Sequence, residues 1–285
     1  MVLQTENICQ DEDRLILKDL SAFQMIGQGN TAEIFLYEPG TVLKLFRDGF
    51  PESGVMKEWR VTCSVQSVYE RMPKTLRLVQ YGDRWGILYE LAEGQDLFHR
   101  IGADPFLLLA VGKKLAQLHA EIHEKEISGI LTVREKLRQE IGWAEALTES
   151  EKKQITALLE RLPDRNRLCH FDFHPGNIMT DGEQVRVLDW LTACSGDPAA
   201  DIARTCILFK YGEVRNGDRM TRLILKATKA CARRSYVRNI CRFSGIKRRE
   251  IEQWTVPVAA ARLSEWLTEH EREQLLKLIR KYLKQ

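Results

Sequence analysis

Two kinds of hydrophobic pattern meet near Leu91–Gly94, and that junction limits the chain to an α+β architecture in two parts. Before it lie short runs rich in aliphatic and aromatic residues: Phe23–Ile26, Ala32–Tyr37, Thr41–Phe46, Thr75–Tyr81 and Trp85–Tyr89. Glu38-Pro39-Gly40 and Gly82-Asp83-Arg84 join neighbouring runs by turns too short for a parallel crossover, so antiparallel strands are expected. A helix fills the gap around Met56–Glu70 and ends before Pro73. After the junction the pattern is helical. Asp104 caps a helix whose first residue is Pro105, with an apolar face through Leu108, Val111, Leu115 and Leu118. Thr132-x-x-Glu135 and Thr148-x-x-Glu151 are capping boxes, the second helix being stopped by Pro163. Helical patterns return at Pro198–Tyr211, Arg219–Phe243 and Glu269–Leu283. The expected division is a strand-rich lobe over 1–92 and a larger, mainly helical lobe over 93–285.

The longest uninterrupted apolar run, Phe106–Val111, is far too short to span a membrane. Residues 1–15 are polar and acidic without an apolar core, so no secretion signal is expected. Seven scattered cysteines without a Cys-x-x-Cys pair point to reduced thiols in a cytoplasm. Charge is unevenly spread: residues 210–285 carry 19 Lys/Arg against 8 Asp/Glu, a net +11, and the remainder is acidic at −8. Such a segment reads first as a set of solvated helix faces, and second as a lobe that attracts anions or, at the least, does not attract polycations.

The densest chemical signal is Cys169-His170-Phe171-Asp172-Phe173-His174-Pro175-Gly176-Asn177, with Asp189 twelve residues after Asn177. Between them Thr180-Asp181-Gly182-Glu183 signals a tight turn, and a hairpin closing there brings Asn177 and Asp189 toward one another. A carboxamide oxygen and a carboxylate suit Mg²⁺, a hard cation that takes oxygen ligands and substrate phosphates. Asp172 is then left to orient or deprotonate an attacking hydroxyl. Upstream, Ile26-Gly27-Gln28-Gly29-Asn30-Thr31-Ala32 lies between two strand candidates, where Gly27 and Gly29 let a backbone approach phosphates closely. Lys44 stands in the otherwise apolar strand Val42–Phe46; a buried lysine needs an anion, with Glu58 the first candidate and Glu52 the second.

Together these residues resemble the aminoglycoside phosphotransferase and choline kinase branch of the protein-kinase-like fold, from about Gly27 to Ala203. The resemblance implies a bilobal α+β protein that moves the γ-phosphoryl of ATP, with Mg²⁺, to a hydroxyl of a small molecule. Lys44 then looks like the lysine holding the α- and β-phosphates, Glu58 like its helix partner and Asp172 like the catalytic aspartate. Asn177 and Asp189 look like the metal ligands, and Glu90-Leu91 like the hinge whose backbone meets the base. That backbone contact suits GTP as well as ATP. Ala32 replaces the third glycine of the loop, and Phe171 and Phe173 stand where the antibiotic enzymes typically have Gly and Leu. Only twelve residues separate Asp189 from Asp201, too few for a protein kinase's activation segment, which favours a small acceptor and constitutive activity.

Other residues read as scaffold: Asp197 as a helix cap, Asp201 as a first-turn carboxylate, and His119 as a satisfied packing histidine. His170 is expected to orient the loop, Cys169 to be buried and inert, and His174 to lie near the acceptor. Trp143, Trp254 and Trp266 are expected in the core, unless one lines an acceptor pocket. The basic C-terminal part leans the acceptor away from polycations, although Glu265, Glu269, Glu271 and Glu273 form a local acidic cluster. Two alternatives stand beside this reading: a kinase-like nucleotide-binding regulator without turnover, and a nucleic-acid-binding protein using Arg233, Arg234, Arg238, Arg242, Lys247, Arg248 and Arg249. The second is poor in interleaved aromatics. No feature points to a protein partner.

Overall fold

The computed structural model describes residues 14–29, 31–103, 107–212 and 219–284, without the side chains of 101–103, 107–109 and 219–228. The expectations for residues 1–13, for Asn30 and for the Asp104-Pro105 cap lie outside the described residues. Contacts divide the chain into two compact units, Met1–Gln95 with Ile178–Leu191, and Asp96–Asn177 with Thr192–Gln285. The hairpin after Asn177, placed by sequence with the C-terminal half, therefore belongs with the first unit.

The first unit is built on a six-stranded sheet in the order β1-β5-β6-β4-β3-β2. Its strands are β1 (Leu15–Leu17), β2 (Met25–Gln28), β3 (Ala32–Leu36), β4 (Thr41–Phe46), β5 (Thr75–Tyr81) and β6 (Arg84–Glu90). Pairings from β2 to β6 and between β5 and β6 are antiparallel, as the short turns require. The exception is β1, a three-residue strand paired parallel with β5; nothing so short carries a readable period. The strand expected at Phe23–Ile26 begins two residues later, and the helix expected at Met56–Glu70 is α1 (Glu52–Gln66). Its first turn holds Ser53 and Gly54, weak helix formers that hide the start.

Alternation along β4 sends Leu43 and Leu45 to one apolar cluster with Val79 and Leu88. Phe46 goes to the other cluster, with Val55, Trp59 and Cys63 of α1. Lys44 shares the parity of Phe46 and so faces α1. Five cysteines are free thiols, but Cys63 is disulfide-bonded, against the expectation of reduced thiols throughout.

Beyond the two-residue strand β7 (Gln95–Asp96), strands β9 (Ile178–Thr180) and β10 (Val185–Val187) form the expected hairpin. Asp181 Oδ1 closes its turn by accepting from the N–H groups of Glu183 and Gln184 at 2.8 and 2.7 Å. Gly94, with φ +97°, lies so close to Thr180 that an added Cβ would collide with the Thr180 carbonyl. No other residue type satisfies both conditions.

The second unit holds α2 (Leu97–Ala103), α3 (Leu107–His123), α4 (Val133–Trp143), α5 (Glu149–Leu159), α6 (Pro198–Tyr211), α7 (Arg219–Ser244), α8 (Arg248–Arg262) and α9 (Glu269–Leu283). Helix α3 packs on α7, and α8 packs on α4, α5, α6 and α9. Both capping boxes form, and Asp197 caps α6 by accepting from Ala199 N. Helix α8 went unread because Pro257 sits inside it. Of the three tryptophans expected in the core only Trp254 is buried; Trp143 is 66% and Trp266 97% exposed. Strands β8 (Arg167–Cys169) and β11 (Cys194–Gly196) pair antiparallel and fix the start of the His170–Asn177 loop. No described helix is long and apolar enough to cross a membrane.

Replacing Gly94 by Ala is expected to destabilise the protein by about 2–4 kcal/mol, from left-handed strain plus the carbonyl clash. Chemical denaturation of the variant measures this.

Candidate active site

In the first unit the lysine meets its first-choice partner. Lys44 Nζ donates to both oxygens of Glu58, at 2.7 and 2.9 Å, and Glu58 is only 3% exposed. Tyr89 Oη donates to the same carboxylate at 2.9 Å, so three groups lock one another in place. Burial, then the charge of Glu58 and its hydrogen bond, push the Tyr89 phenol well above its ordinary range, and the charge of Asp189 adds to the effect. Asp189 thus shares the field of this cluster. It is exposed, has φ +58°, and makes no hydrogen bond or ion pair among the described residues. Such a non-glycine conformation costs of order 1–3 kcal/mol and marks functional positions.

Gly27 lies in β2 and Gly29 just beyond it, where Gly29 N donates to Ala32 O at 2.8 Å. Arg47 holds the turn by donating to Gly29 O at 3.1 and 3.2 Å. A Cβ on either glycine would meet only ordinary contacts with the described residues, so the fold alone does not demand glycine there. At the expected hinge, Glu90 N donates to Lys74 O and Leu91 N to Gly40 O. Both donors are therefore engaged. The next, Ala92 N, makes no such bond among the described residues.

In the second unit the His170–Asn177 loop is fixed by one face of α6. Asp201 is fully buried and accepts from His170 N at 2.6 Å and from Phe171 N at 2.9 Å. Its Oδ2 also takes Nε2 of His119 at 2.8 Å and Nε2 of His123 at 3.1 Å. Burial opposes this carboxylate's charge, but the histidines outweigh it and keep its pKa well below the ordinary value. Arg204 Nε donates to the Phe171 carbonyl and Thr205 Oγ1 to the Phe173 carbonyl, both at 3.1 Å. Held from both sides, Phe171 keeps φ +63°.

The loop then presents its reactive groups. His170 Nδ1 accepts from Asp172 N at 3.2 Å, the orienting role expected of it. Asn177 Nδ2 donates to the Asp172 carbonyl at 2.9 Å and to Asp172 Oδ2 at 3.3 Å. Its Oδ1 accepts nothing from the described residues. His174 Nε2 lies 3.5 Å from Asp172 Oδ2. Burial raises the Asp172 pKa, but His174, Arg204 and His170 together hold it far below the ordinary range. Asp172 is thus ionised at neutral pH and poised to accept a hydrogen bond. Cys169 is buried, and burial pushes its thiol well up, consistent with an inert packing residue.

Asp172 and Asn177 are brought together in the second unit, while Lys44, Glu58 and Asp189 belong to the first. The free oxygen of Asn177 and the unpaired carboxylate of Asp189 are the donor types Mg²⁺ prefers, so these residues fit the ion. Sequence reading missed the hub made by Asp201 with His119 and His123, because its members are 78 and 82 residues apart. The acidic cluster at 265–273 is also not free. Glu265 is bound by Arg204 and Arg262, Glu271 by Arg262, Glu269 by Arg272, and Glu273 by Lys277.

This combination of an antiparallel sheet bearing a lysine–glutamate pair and a helical unit bearing an aspartate–asparagine loop is the kinase-like α+β fold. Residues 37–229 match the model of the phosphotransferase enzyme family, and the chain belongs to that family, whose members act on small molecules. The structure of an aminoglycoside-3'-phosphotransferase of type VIII is similar at a TM-score of 0.55 and 15% identity, over 84% of this chain and 93% of that one. The streptomycin–ATP–APH(2'')-IIa ternary complex gives 0.56 and 14%, over 91% and 90%. Choline kinase from Cryptosporidium parvum Iowa II gives 0.52 and 12%, over 92% and 88%. At such identities the likeness establishes the fold alone. Among curated proteins no sequence match is significant.

The buried hub predicts acid sensitivity. Burial, against the pull of Asp201, pushes His119 down from 6.5 to about 4. The unfolded chain takes up this proton near pH 6.5 and the folded one only near 4, so stability falls as pH drops through that window. The loss approaches about 3 kcal/mol, and His119→Gln is expected to flatten the slope of melting temperature against pH.

Proposed function

We propose that this protein transfers the γ-phosphoryl group of ATP to a hydroxyl of a small molecule, with Mg²⁺. The observation that carries the reading is the Asp172–Asn177 pair. An ionised carboxylate is fixed by the asparagine's amide nitrogen, and the amide oxygen stays open to a cation. With so low a pKa, Asp172 acts by accepting a hydrogen bond from the acceptor hydroxyl and aiming its oxygen. It takes the proton only as the new P–O bond forms, which suits a loose transition state. Lys44, held by two bonds to Glu58, directs its remaining N–H toward phosphate oxygens. Asn177 and Asp189 would each offer an oxygen to magnesium, which when bound would neutralise the phosphates. Gly27 and Gly29 leave the backbone open to them.

With the N–H groups of Glu90 and Leu91 engaged, Ala92 N is the hinge donor for the base, and the carbonyl side of this segment is its acceptor. Five of the described cysteines are free thiols, which supports a cytoplasmic setting, and the disulfide-bonded Cys63 stands against it.

Asp172→Asn is expected to lower kcat by roughly 10²–10⁴ while leaving the KM for ATP nearly unchanged. Coupled-assay kinetics on the purified variant give both constants, and wild-type turnover rules out the role. Lys44→Ala is expected to impair ATP use by about tenfold or more in kcat/KM, because the buried Glu58 keeps only its bond from Tyr89 while the phosphates lose their cation.

A further inference from the structure

In the first unit the Lys44–Glu58 pair has a third member, Tyr89, which a lysine–glutamate pair by itself does not require. Glu58 is 3% exposed, and a carboxylate so far from water must find donors for its lone pairs within the fold. Lys44 Nζ fills one position on each oxygen, at 2.7 Å to Oε1 and 2.9 Å to Oε2. Tyr89 Oη fills a second position on Oε1 at 2.9 Å. Two donors of different kinds thus divide one oxygen, and the carboxylate cannot turn without breaking bonds to both.

Strand register brings the tyrosine there. Antiparallel β4 and β6 pair Val42 with Tyr89 and Lys44 with Ile87, so Lys44 and Tyr89 emerge on one face of the sheet. That face carries the apolar cluster of Phe46, Ile87 and the α1 residues Val55, Trp59 and Cys63, against which the partly buried Tyr89 packs. The ring is held by packing, and its hydroxyl reaches the carboxylate. Tyr89 also comes directly before Glu90 and Leu91, whose N–H groups bond to Lys74 O and Gly40 O. One residue therefore joins the backbone assigned to the base with the side chains assigned to the phosphates.

We propose that Tyr89 is a positioning residue for the nucleotide phosphates: by holding Glu58 Oε1, its hydroxyl fixes the plane of the carboxylate and so the direction of the remaining N–H of Lys44. The inference rests on the phosphotransfer reading above. An ammonium facing an unheld carboxylate slides toward either oxygen and carries its third N–H with it. With Oε1 shared, the ammonium straddles both oxygens and the third N–H points away from Glu58. The lysine is the open member of the pair, its side chain 20% exposed against 4% for the glutamate. The tyrosine bond also takes up part of the carboxylate's charge, which leaves Lys44 freer to bind phosphate oxygens. The role belongs to the hydroxyl, because phenylalanine keeps the ring's packing and loses only this bond.

The test is the dissociation constant of Mg²⁺–ATP, measured by isothermal titration calorimetry on the full chain with no acceptor present. Tyr89→Phe is expected to raise it about tenfold, the size of one hydrogen bond to a charged group. In a Glu58→Leu background the hydroxyl has no carboxylate to hold, and the same substitution is expected to change the constant by less than about twofold. Should Glu58→Leu not fold, Lys44→Met removes the group that meets the phosphates and serves as the background, with the same expectation. A hydroxyl that served only the packing of the sheet would cost the same factor with and without its partner. Thermal melting shows which variants are folded. An unchanged dissociation constant in Tyr89→Phe, an equal loss in both backgrounds, or a Tyr89→Phe chain that does not fold overturns the proposal and leaves phosphotransfer standing. Failure of the unaltered protein to bind Mg²⁺–ATP overturns both.

Discussion

One face of α6 is the template on which the reactive loop is cast. Asp201, Arg204 and Thr205 stand at i, i+3 and i+4, and each takes a different backbone group of the loop. Asp201 receives the N–H groups of His170 and Phe171, Arg204 donates to the carbonyl of Phe171, and Thr205 donates to that of Phe173. Phe171 is gripped at both its amide and its carbonyl, and only such over-determination keeps a phenylalanine at φ +63°. The buried negative charge at Asp201 is tolerable because four donors surround it and the N-terminal turn of α6 adds its dipole.

Everything reactive follows from that fixed backbone. His170 turns its ring back to the amide of Asp172, Asn177 clamps the Asp172 side chain, and Arg204 and His174 keep that side chain ionised. The same arginine continues outward to Glu265, so the helix that shapes the loop also pairs with the turn before α9. Solved aminoglycoside phosphotransferases share the fold at 14–15% identity, while Glu265, Glu269, Glu271 and Glu273 of this chain are each paired with a cation. The family name and the acceptor are therefore separate questions.

The parts legible in the sequence were those written locally. Both capping boxes, the Asp197 cap, the ends of β4, β5, α6 and α9, and the Thr180–Glu183 turn depend on residues within a few positions of one another. Lys44 was legible for another reason. A charge in an apolar strand demands a partner, and strand parity directs it to the helix that follows. What stayed hidden was long-range or contradictory. Asp201 read as an ordinary first-turn acid because its histidines lie on α3. Helix α8 was masked by Pro257, and β1 was too short to show a period. The acidic run at 265–273 read as a local acidic cluster without its partners, because its arginines come from α6 and α8 as well as α9. Trp266 read as core because exposure is decided by the turn that holds it, not by the indole.

The central claim is that an ionised Asp172, an open Asn177 oxygen and a fixed Lys44 belong to a machine for phosphoryl transfer. The most direct measurement is ³¹P nuclear magnetic resonance of the protein with magnesium, ATP and a mixture of hydroxyl compounds. The expected result is growth of a phosphomonoester signal matched by loss of the γ-phosphate and appearance of ADP. Unchanged ATP, or release of inorganic phosphate alone, would contradict it.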